Sequence, residues 1–135
     1  MAEAQTLVAG VAEGETLVLT EPLSFWGGLD PATGHIVDAH HPQRGEVVTG
    51  RVLVMPSGRG SSSSPSVLAE AIRAGTAPAA IVLGEADPIV ALGAIVAREL
   101  YGVSVPVVVA ERDAIPDAGR LRINATKTSA KIDPA

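Results

Sequence analysis

Short runs of apolar and β-branched residues, separated by polar and glycine-rich stretches, mark the first half of the chain. Four of these runs predict strands: Gln5–Gly10, Glu15–Thr20, His35–Asp38 and Val47–Met55. A turn at Glu13-Gly14 is predicted between the first two runs, and Gly50 interrupts the fourth. The segment Asp30-Pro31-Ala32-Thr33-Gly34 has the composition of a turn, because proline fixes φ and glycine accepts a positive φ. The first half is therefore predicted to be rich in β-structure.

In the second half, continuous apolar runs alternate with segments of helical periodicity. The predicted strands are Ala79–Leu83, Val105–Ala110 and Arg120–Asn124. The predicted helices are Ser66–Ala74 and, from about residue 89, Ile89–Leu100. Gly75 and Gly102 are placed to end these helices, and Asp87-Pro88 is a typical opening for the second, with Asp87 as its N-cap.

This order of elements predicts an α/β fold. Strand–helix–strand–helix–strand in sequence favours parallel strands joined by right-handed crossovers. We expect a β-rich N-terminal half and a βαβαβ C-terminal half with parallel strands. Residues 1–135 are expected to form a single domain, in which a polar tail from about Lys127 frays.

Composition points to an aliphatic core and to a partner chain. Apolar residues make up 47% of the sequence, yet it holds one Trp, one Tyr and one Phe, so Val, Ile, Leu and Ala must build the core. The mean hydropathy of +0.31 is high for a short chain. No apolar run approaches the roughly 20 residues that span a bilayer. The excess apolarity therefore favours a buried subunit interface and no membrane association.

Charge and cysteine content exclude several functions. The net charge of −5 comes without a basic stripe, which argues against nucleic-acid binding. No secretory signal is apparent, so we expect a cytoplasmic protein. The absence of cysteine removes disulfides, thiol catalysis and thiolate ligation of iron. Any iron–sulfur cluster must be held by another chain.

The run from Gly58 to Pro65, Gly-Arg-Gly-Ser-Ser-Ser-Ser-Pro, is the strongest candidate for chemistry. It links an apolar strand to a helix, and its glycines allow a tight turn and close approach to a ligand. Pro65 suits the first turn of a helix and Ser64 suits the N-cap. Free N–H groups and the dipole at a helix N-terminus favour an anion. Turn and capping chemistry alone is the competing interpretation.

Several separated motifs resemble the small subunit of aconitase X, over roughly residues 5 to 125. They agree with that family in order and spacing. The motifs are Ser24-Phe25-Trp26-Gly27-Gly28-Leu29-Asp30-Pro31-Ala32-Thr33-Gly34, Gly50-Arg51-Val52-Leu53-Val54-Met55-Pro56, Gly58-Arg59-Gly60-Ser61-Ser62 and Ala77-Pro78-Ala79-Ala80-Ile81.

The resemblance implies a swivelling β/β/α domain that closes over a large subunit carrying an iron or iron–sulfur centre. Such pairs dehydrate a hydroxylated carboxylate, and the members are cis-3-hydroxy-L-proline dehydratases and archaeal phosphomevalonate dehydratases. Ser61 matches the catalytic serine of aconitase, which handles the proton beside the carboxylate. We expect this chain to be a separate small subunit that works only with its large partner.

The chemistry that such a dehydration needs gives a set of candidate substrate contacts, because a guanidinium or a hydroxyl can bind a carboxylate and glycine allows close approach. They are Arg59, Gly60, Ser62, Ser63, Gly27 and Gly28. Arg59 is either a carboxylate clamp or a surface charge, and Ser62 and Ser63 either bind the substrate or are solvated. Phe25 and Trp26 pack in the core or form a wall of the cleft or subunit interface.

Three functions remain open from the sequence. Family members with a phosphorylated substrate often have glycine and serine where this chain has Ser64 and Pro65, which favours cis-3-hydroxy-L-proline as the substrate. Arg59 offers little positive charge for a phosphate, so phosphomevalonate is the second choice. The third is a non-catalytic swivel module that binds an anion.

The remaining polar motifs favour structural roles. Two adjacent histidines in a strand would point to opposite faces, so His40-His41 is predicted to be a loop and no metal site is expected in this chain. Glu70 and Arg73 lie three residues apart on one predicted helical face and should form a weak surface pair.

Overall fold

The computed structural model describes residues 2–58 and 62–135, and its strands close into a barrel. Neighbouring strands follow the order β1-β5-β4-β3-β2-β6-β7, and β7 pairs with β1. The strands are β1 Ala2–Val8, β2 Gly10–Val18, β3 Val52–Met55, β4 Ala80–Leu83, β5 Val107–Val109, β6 Arg120–Ala125 and β7 Ala130–Pro134. The helices are α1 Phe25–Gly28, α2 Ser64–Ala74 and α3 Pro88–Tyr101, with a 3₁₀ turn at Arg112–Ala114.

One side of the barrel is parallel and the other antiparallel. β2, β3, β4 and β5 lie side by side in parallel, with the connections β3–α2–β4 and β4–α3–β5. β1, β6 and β7 complete the barrel through antiparallel pairs. The mixed α/β fold is therefore confirmed, with parallel strands joined by helices, but β6 and β7 of the C-terminal half pair antiparallel.

Successive side chains of the parallel strands point to opposite faces, so the fold has two separate apolar cores. Val52 and Val54 of β3 point into the barrel, where they meet residues of β6 and β7. Leu53 and Met55 point outward against α2 and α3. Phe25 is the one aromatic side chain among the buried hydrophobic residues that the structure describes. Both cores are thus largely aliphatic, as the composition predicted.

Helix ends follow the predicted signals closely. Gly75 and Gly102 end α2 and α3 in the left-handed region, at φ 79° and 69°. Asp87 caps α3, because its carboxylate accepts hydrogen bonds from the backbone N–H groups of Ile89 and Val90. In the described part of the chain, no helix is both long and apolar enough to cross a membrane.

The predicted turn at Glu13-Gly14 is wrong. Both residues lie inside β2 and pair with β6. Gly14 is buried, and a Cβ there would overlap the backbone carbonyl oxygen of Gly50. This glycine therefore allows close packing of two backbone segments rather than a turn.

Two of the predicted strands are shorter or absent. His35–Asp38 forms only isolated bridges, which join Leu29 to Ile36 and His35 to Val47. The strand predicted from Val47 begins at Val52. Gly50 has a φ of 70°, which turns the backbone away from the extended conformation just before β3.

The expectation of a frayed tail after Lys127 is also wrong. Ala130–Pro134 forms β7, which pairs with both β1 and β6. Ala130 and Ile132 are buried and Lys131 is exposed, so the segment follows the two-residue period of a strand with one buried face. The polar residues around it hid this pattern.

Candidate functional site

The parallel strands of the barrel end together at one edge. Val18 of β2 is paired with Val54 of β3, Met55 with Leu83 of β4, and Leu83 with Val109 of β5. The segments that follow these strands therefore meet at the same edge. In open α/β sheets, ligands bind in the crevice beyond the carboxyl ends of the strands, which makes this edge the first place to search.

The glycine-serine run leaves this edge at the end of β3. Arg59, Gly60 and Ser61 lie outside the described residues, so the structure does not test their predicted roles. On one side of them, Gly58 forms an isolated parallel bridge with Leu23, in the segment that follows β2. On the other side, Ser62 leads into α2. Both ends of the run are thus attached to the carboxyl edge.

Gly58 has no room for a side chain. A Cβ there would overlap Oδ2 of Asp87 and lie 3.0 Å from Cγ2 of Val90. The other oxygen of the carboxylate, Oδ1, accepts from the backbone N–H of Ile89 at 2.9 Å. Asp87 therefore fixes the start of α3 and also forms one wall against the glycine-serine run.

Ser64 is buried, and the prediction that it is the N-cap of α2 is wrong. It is the first residue of the helix rather than the N-cap, which is Ser63. Its Oγ accepts from the backbone N–H of Trp26 at 3.3 Å and lies 3.2 Å from Oγ of Ser24. Ser24 donates to the carbonyl oxygen of Trp26 at 3.0 Å. A hydroxyl has one hydrogen, and Ser24 uses its hydrogen on the carbonyl oxygen of Trp26. Ser64 is therefore the donor in the hydrogen bond between the two serine hydroxyls.

These bonds tie the Ser24–Gly28 segment to the start of α2. Phe25 is buried in the core, whereas Trp26 is 58% exposed. Gly27 has a φ of 77°, and a Cβ there would meet no atom within 4 Å. Gly28 is buried against the side chain of Leu23. The two aromatic residues thus separate, one into the core and one onto the surface beside the glycine-serine run.

Ser62 and Ser63 are exposed at the N-terminus of α2. Pro65 lies in the first turn of the helix, as predicted. The first N–H groups of a helix have no partner within it, and the dipole there favours negative charge. The described residues on this side of the run therefore offer an anion the hydroxyl of Ser62 and backbone donors.

A pocket of about 320 Å³ opens at the carboxyl edge, into the mouth of the barrel. Its walls come from the ends of β2 and β3 and from the segments that follow β2, β3, β4 and β5. The lining residues are Val18, Leu19, Thr20, Val54, Met55, Pro56, Gly84, Ala110, Arg112 and Ile115. Sequence reasoning missed this pocket and Arg112. The available signal was a charged residue shortly after the apolar run Val105–Ala110.

The histidine pair lies in a loop, as predicted. His41 is buried, its Nδ1 accepts from the backbone N–H of Gln43 at 3.0 Å, and its Nε2 lies 3.2 Å from the carbonyl oxygen of Glu21. Both ring nitrogens are therefore used for local structure. No group of three His, Cys, Asp or Glu side chains suited to a metal occurs within residues 2–58 and 62–135.

The predicted surface pair on α2 is present. The Arg73 guanidinium donates from Nε to both carboxylate oxygens of Glu70 at 3.0 Å. This hydrogen bonding lowers the pKa of the Glu70 carboxyl below its ordinary value. Both side chains are solvated, so the pair contributes little to stability.

Comparison with known proteins gives a consistent set of relatives. Residues 1–132 match the family described as the aconitase X swivel domain. A cis-3-hydroxy-L-proline dehydratase from Pseudomonas aeruginosa is 55% identical over 103 residues, which are 76% of this chain and 18% of that protein. A phosphomevalonate dehydratase small subunit from Thermococcus gammatolerans is 39% identical over 128 residues, covering 93% of this chain and 92% of that subunit.

A solved structure agrees with these relatives. The crystal structure of Thermococcus kodakaraensis aconitase X (holo-form) matches with a TM-score of 0.83 at 35% identity, covering 98% of this chain and 99% of that chain. The present chain thus spans less than a fifth of the Pseudomonas protein and nearly all of the Thermococcus subunit.

Proposed function

Because the chain belongs to the aconitase X swivel-domain family, we propose that it is the small part of a two-part dehydratase acting on a hydroxylated carboxylic acid. The observation that carries this proposal is the family match over residues 1–132. The chain has the mixed α/β swivel fold, and the relatives named above are dehydratases or their small subunits.

The proposal requires a large partner, as a separate subunit or as another domain. The Pseudomonas dehydratase is more than five times as long as the part that this chain matches. The Thermococcus relative is named a small subunit and has nearly the same extent as this chain. We therefore assign most of the active site to a partner that closes against the carboxyl edge of the barrel. The cytoplasmic location stays a prediction from the sequence.

We propose cis-3-hydroxy-L-proline as the substrate. This choice rests on Ser64 and Pro65, at positions where family members with a phosphorylated substrate often have glycine and serine. Phosphomevalonate is the second candidate, favoured by the near-complete coverage of the small subunit. Both substrates carry a carboxylate, so the same general chemistry applies to either.

Ser61 is the proposed base. It would take the proton from the carbon beside the carboxylate, and the electron pair of that C–H bond would form the new double bond as the hydroxyl group leaves. A serine hydroxyl is a weak acid, so its alkoxide needs nearby hydrogen-bond donors and exclusion of water. The N-terminus of α2, which begins directly after Ser63, is a suitable source of such donors.

The proposed substrate contacts belong to the glycine-serine run or to the segment that is bonded to it. Arg59, Gly60, Ser62 and Ser63 belong to the same run as Ser61, and Ser64 ties that run to the segment that bears Gly27 and Gly28. The exposed backbone of Gly27 leaves space beside it for a ligand.

The iron or iron–sulfur centre of the enzyme is proposed to lie on the partner. This chain has no cysteine, and its described residues include no cluster of ligating side chains. The described residues of this chain therefore do not fit such a centre. Their proposed part is to handle the proton and to bind the substrate.

The test is turnover by the chain reconstituted with its large partner and iron. Wild type is compared with Ser61→Ala on cis-3-hydroxy-L-proline, and Ser66→Ala is the matched control because Ser66 is exposed on α2. We expect Ser61→Ala to lose turnover by orders of magnitude while the complex still assembles, and Ser66→Ala to behave as wild type.

Each other outcome selects a different function. Turnover of phosphomevalonate alone would make that the substrate. No turnover of either compound, with a stable complex, would favour a non-catalytic module that binds an anion. Full activity of Ser61→Ala would remove Ser61 from the mechanism.

A further inference from the structure

The pocket at the mouth of the barrel has rigid apolar walls. Leu19, Val54, Met55, Ala110 and Ile115 line it and are themselves buried, with exposures of 2–6%. They belong to the two cores, so they cannot move far without disturbing the packing. Ligand sites typically combine such walls with a few polar groups, and the mouths of barrels are common places for them.

Arg112 provides charge at the rim of this pocket. Of the described residues that line it, only Arg112 is charged. Glu111 and Asp113, its neighbours in sequence, are exposed and do not line the pocket. Arg112 forms no ion pair with another described residue.

The cations at the opposite edge of the barrel differ from Arg112. Arg51 and Arg120 line another depression there, and they pair with Glu46 and Glu13 at 3.6 and 3.2 Å. Their charges are already balanced within the chain. The charge of Arg112 is available to a ligand.

The backbone holds Arg112 in place. The N–H of Ala110 donates to Leu83 O at 2.9 Å, which extends the pairing of β4 and β5 to the start of this segment. The N–H of Ile115 donates to the carbonyl oxygen of Arg112 at 3.2 Å and closes the 3₁₀ turn. Thr20 adds a hydroxyl at the rim, and its backbone N–H is bound by the side chain of Gln43 at 2.9 Å.

We propose that this pocket receives the apolar part of the substrate and that Arg112 binds its carboxylate. The inference rests on the proposed function and assigns a specificity-determining residue to it. Arginine suits this role because its planar group can bind both oxygens of a carboxylate. Pro56 lines the pocket and lies two residues before Gly58, the residue at which the glycine-serine run that contains the proposed base begins.

The experiment measures kcat and KM of the reconstituted complex with Arg112→Met, which keeps much of the side-chain length and removes the charge. Arg122→Met is the matched control, because Arg122 is exposed on β6 and does not line the pocket. A lost charged hydrogen bond should raise KM about tenfold to a hundredfold. We expect kcat to change by less than about threefold, since a contact made equally in both states affects KM alone.

Arg112→Lys should recover part of the loss, because it restores the charge but not the two-pronged geometry. An unchanged KM in Arg112→Met, or an equal change in Arg122→Met, would overturn the proposal. So would a fall in kcat at constant KM.

Assembly of the complex is measured on the same variants. Weakened assembly with a normal KM at saturating large partner would mean that a side chain of the partner fills the pocket, which also overturns the proposal. If the wild-type complex turns over neither cis-3-hydroxy-L-proline nor phosphomevalonate, the proposed function is wrong. The inference about Arg112 is then also wrong, because it rests on that function. If only phosphomevalonate is turned over, the same comparison applies to that substrate.

Discussion

At the scale of residues, one sequence signal can serve two different purposes. Ser64 before Pro65 has the pattern of a helix cap, yet its buried hydroxyl binds Ser24 and the backbone of Trp26. Asp87 before Pro88 has the same pattern and does cap its helix. The difference depends on which groups the fold brings near each side chain, and the local sequence does not contain that information.

Ser64→Ala tests the importance of the hydroxyl contacts. The substitution leaves the backbone N–H of Trp26 and the hydroxyl of Ser24 without this partner, in a partly buried site. We expect the free energy of unfolding to fall by about 1–3 kcal/mol, as measured by urea denaturation followed by circular dichroism.

Ser66→Ala serves as the control, since the exposed side chain should change stability by less than about 0.5 kcal/mol. Trp26 is the sole tryptophan of the chain. Its emission should therefore report directly whether the Ser24–Gly28 segment has moved in Ser64→Ala. Equal stability of the two variants would show that the contacts contribute nothing.

At the scale of elements, the glycine-serine run is placed by its neighbours. Gly58 packs against the carboxylate of Asp87, which belongs to the connection between β4 and α3. The start of α3 and the approach to Ser61 therefore share one side chain. Composition predicted that the run connects a strand to a helix, but not which carboxylate it contacts.

A double-mutant cycle on Gly58 and Asp87 tests this shared contact. Gly58→Ala should push the Asp87 carboxylate away from the N–H of Ile89, so it should cost about as much as loss of the cap, roughly 0.5–2 kcal/mol. In an Asp87→Ala background the same substitution should cost less, by about 0.5 kcal/mol or more.

Val90 remains 3.0 Å from the new Cβ, so we expect part of the penalty to persist. Asp87→Asn is the control, because an amide oxygen can still cap the helix. Strictly additive changes in unfolding free energy would contradict the contact.

At the scale of the whole molecule, closure of the barrel depends on the last strand. β7 joins β1 to β6, and without it both strands would expose an unpaired edge. Ile132 contributes a fully buried side chain to the interior of the barrel.

Ile132→Ala should therefore lower the free energy of unfolding by about 2–5 kcal/mol, the usual cost of a cavity in a core. Lys131→Ala is the matched control, because the neighbouring side chain is exposed and should change stability by less than about 0.5 kcal/mol. Thermal or urea unfolding measures both. A loss in Ile132→Ala no larger than in Lys131→Ala would mean that β7 is not part of the cooperative fold.

The sequence by itself determined the features that depend on neighbouring residues. Proline, aspartate and glycine set the ends of α3, and continuous apolar runs identified β4 and β5 as buried strands. The motifs around the glycine-serine run were specific enough to identify the aconitase X family, which the family match confirms.

Only the tertiary structure decided the features that depend on residues far apart in the chain. Gly14 is required because the carbonyl oxygen of Gly50 leaves no room for a side chain, and β7 forms between the edges of β1 and β6. The pocket beside Arg112 forms where β2, β3 and the segments that follow the four parallel strands meet. Such contacts form when separate segments pack together, so their partners cannot be found by reading along the chain. Local propensities are fixed by each residue and its neighbours, whereas closure of the barrel is fixed by the burial that all strands achieve together.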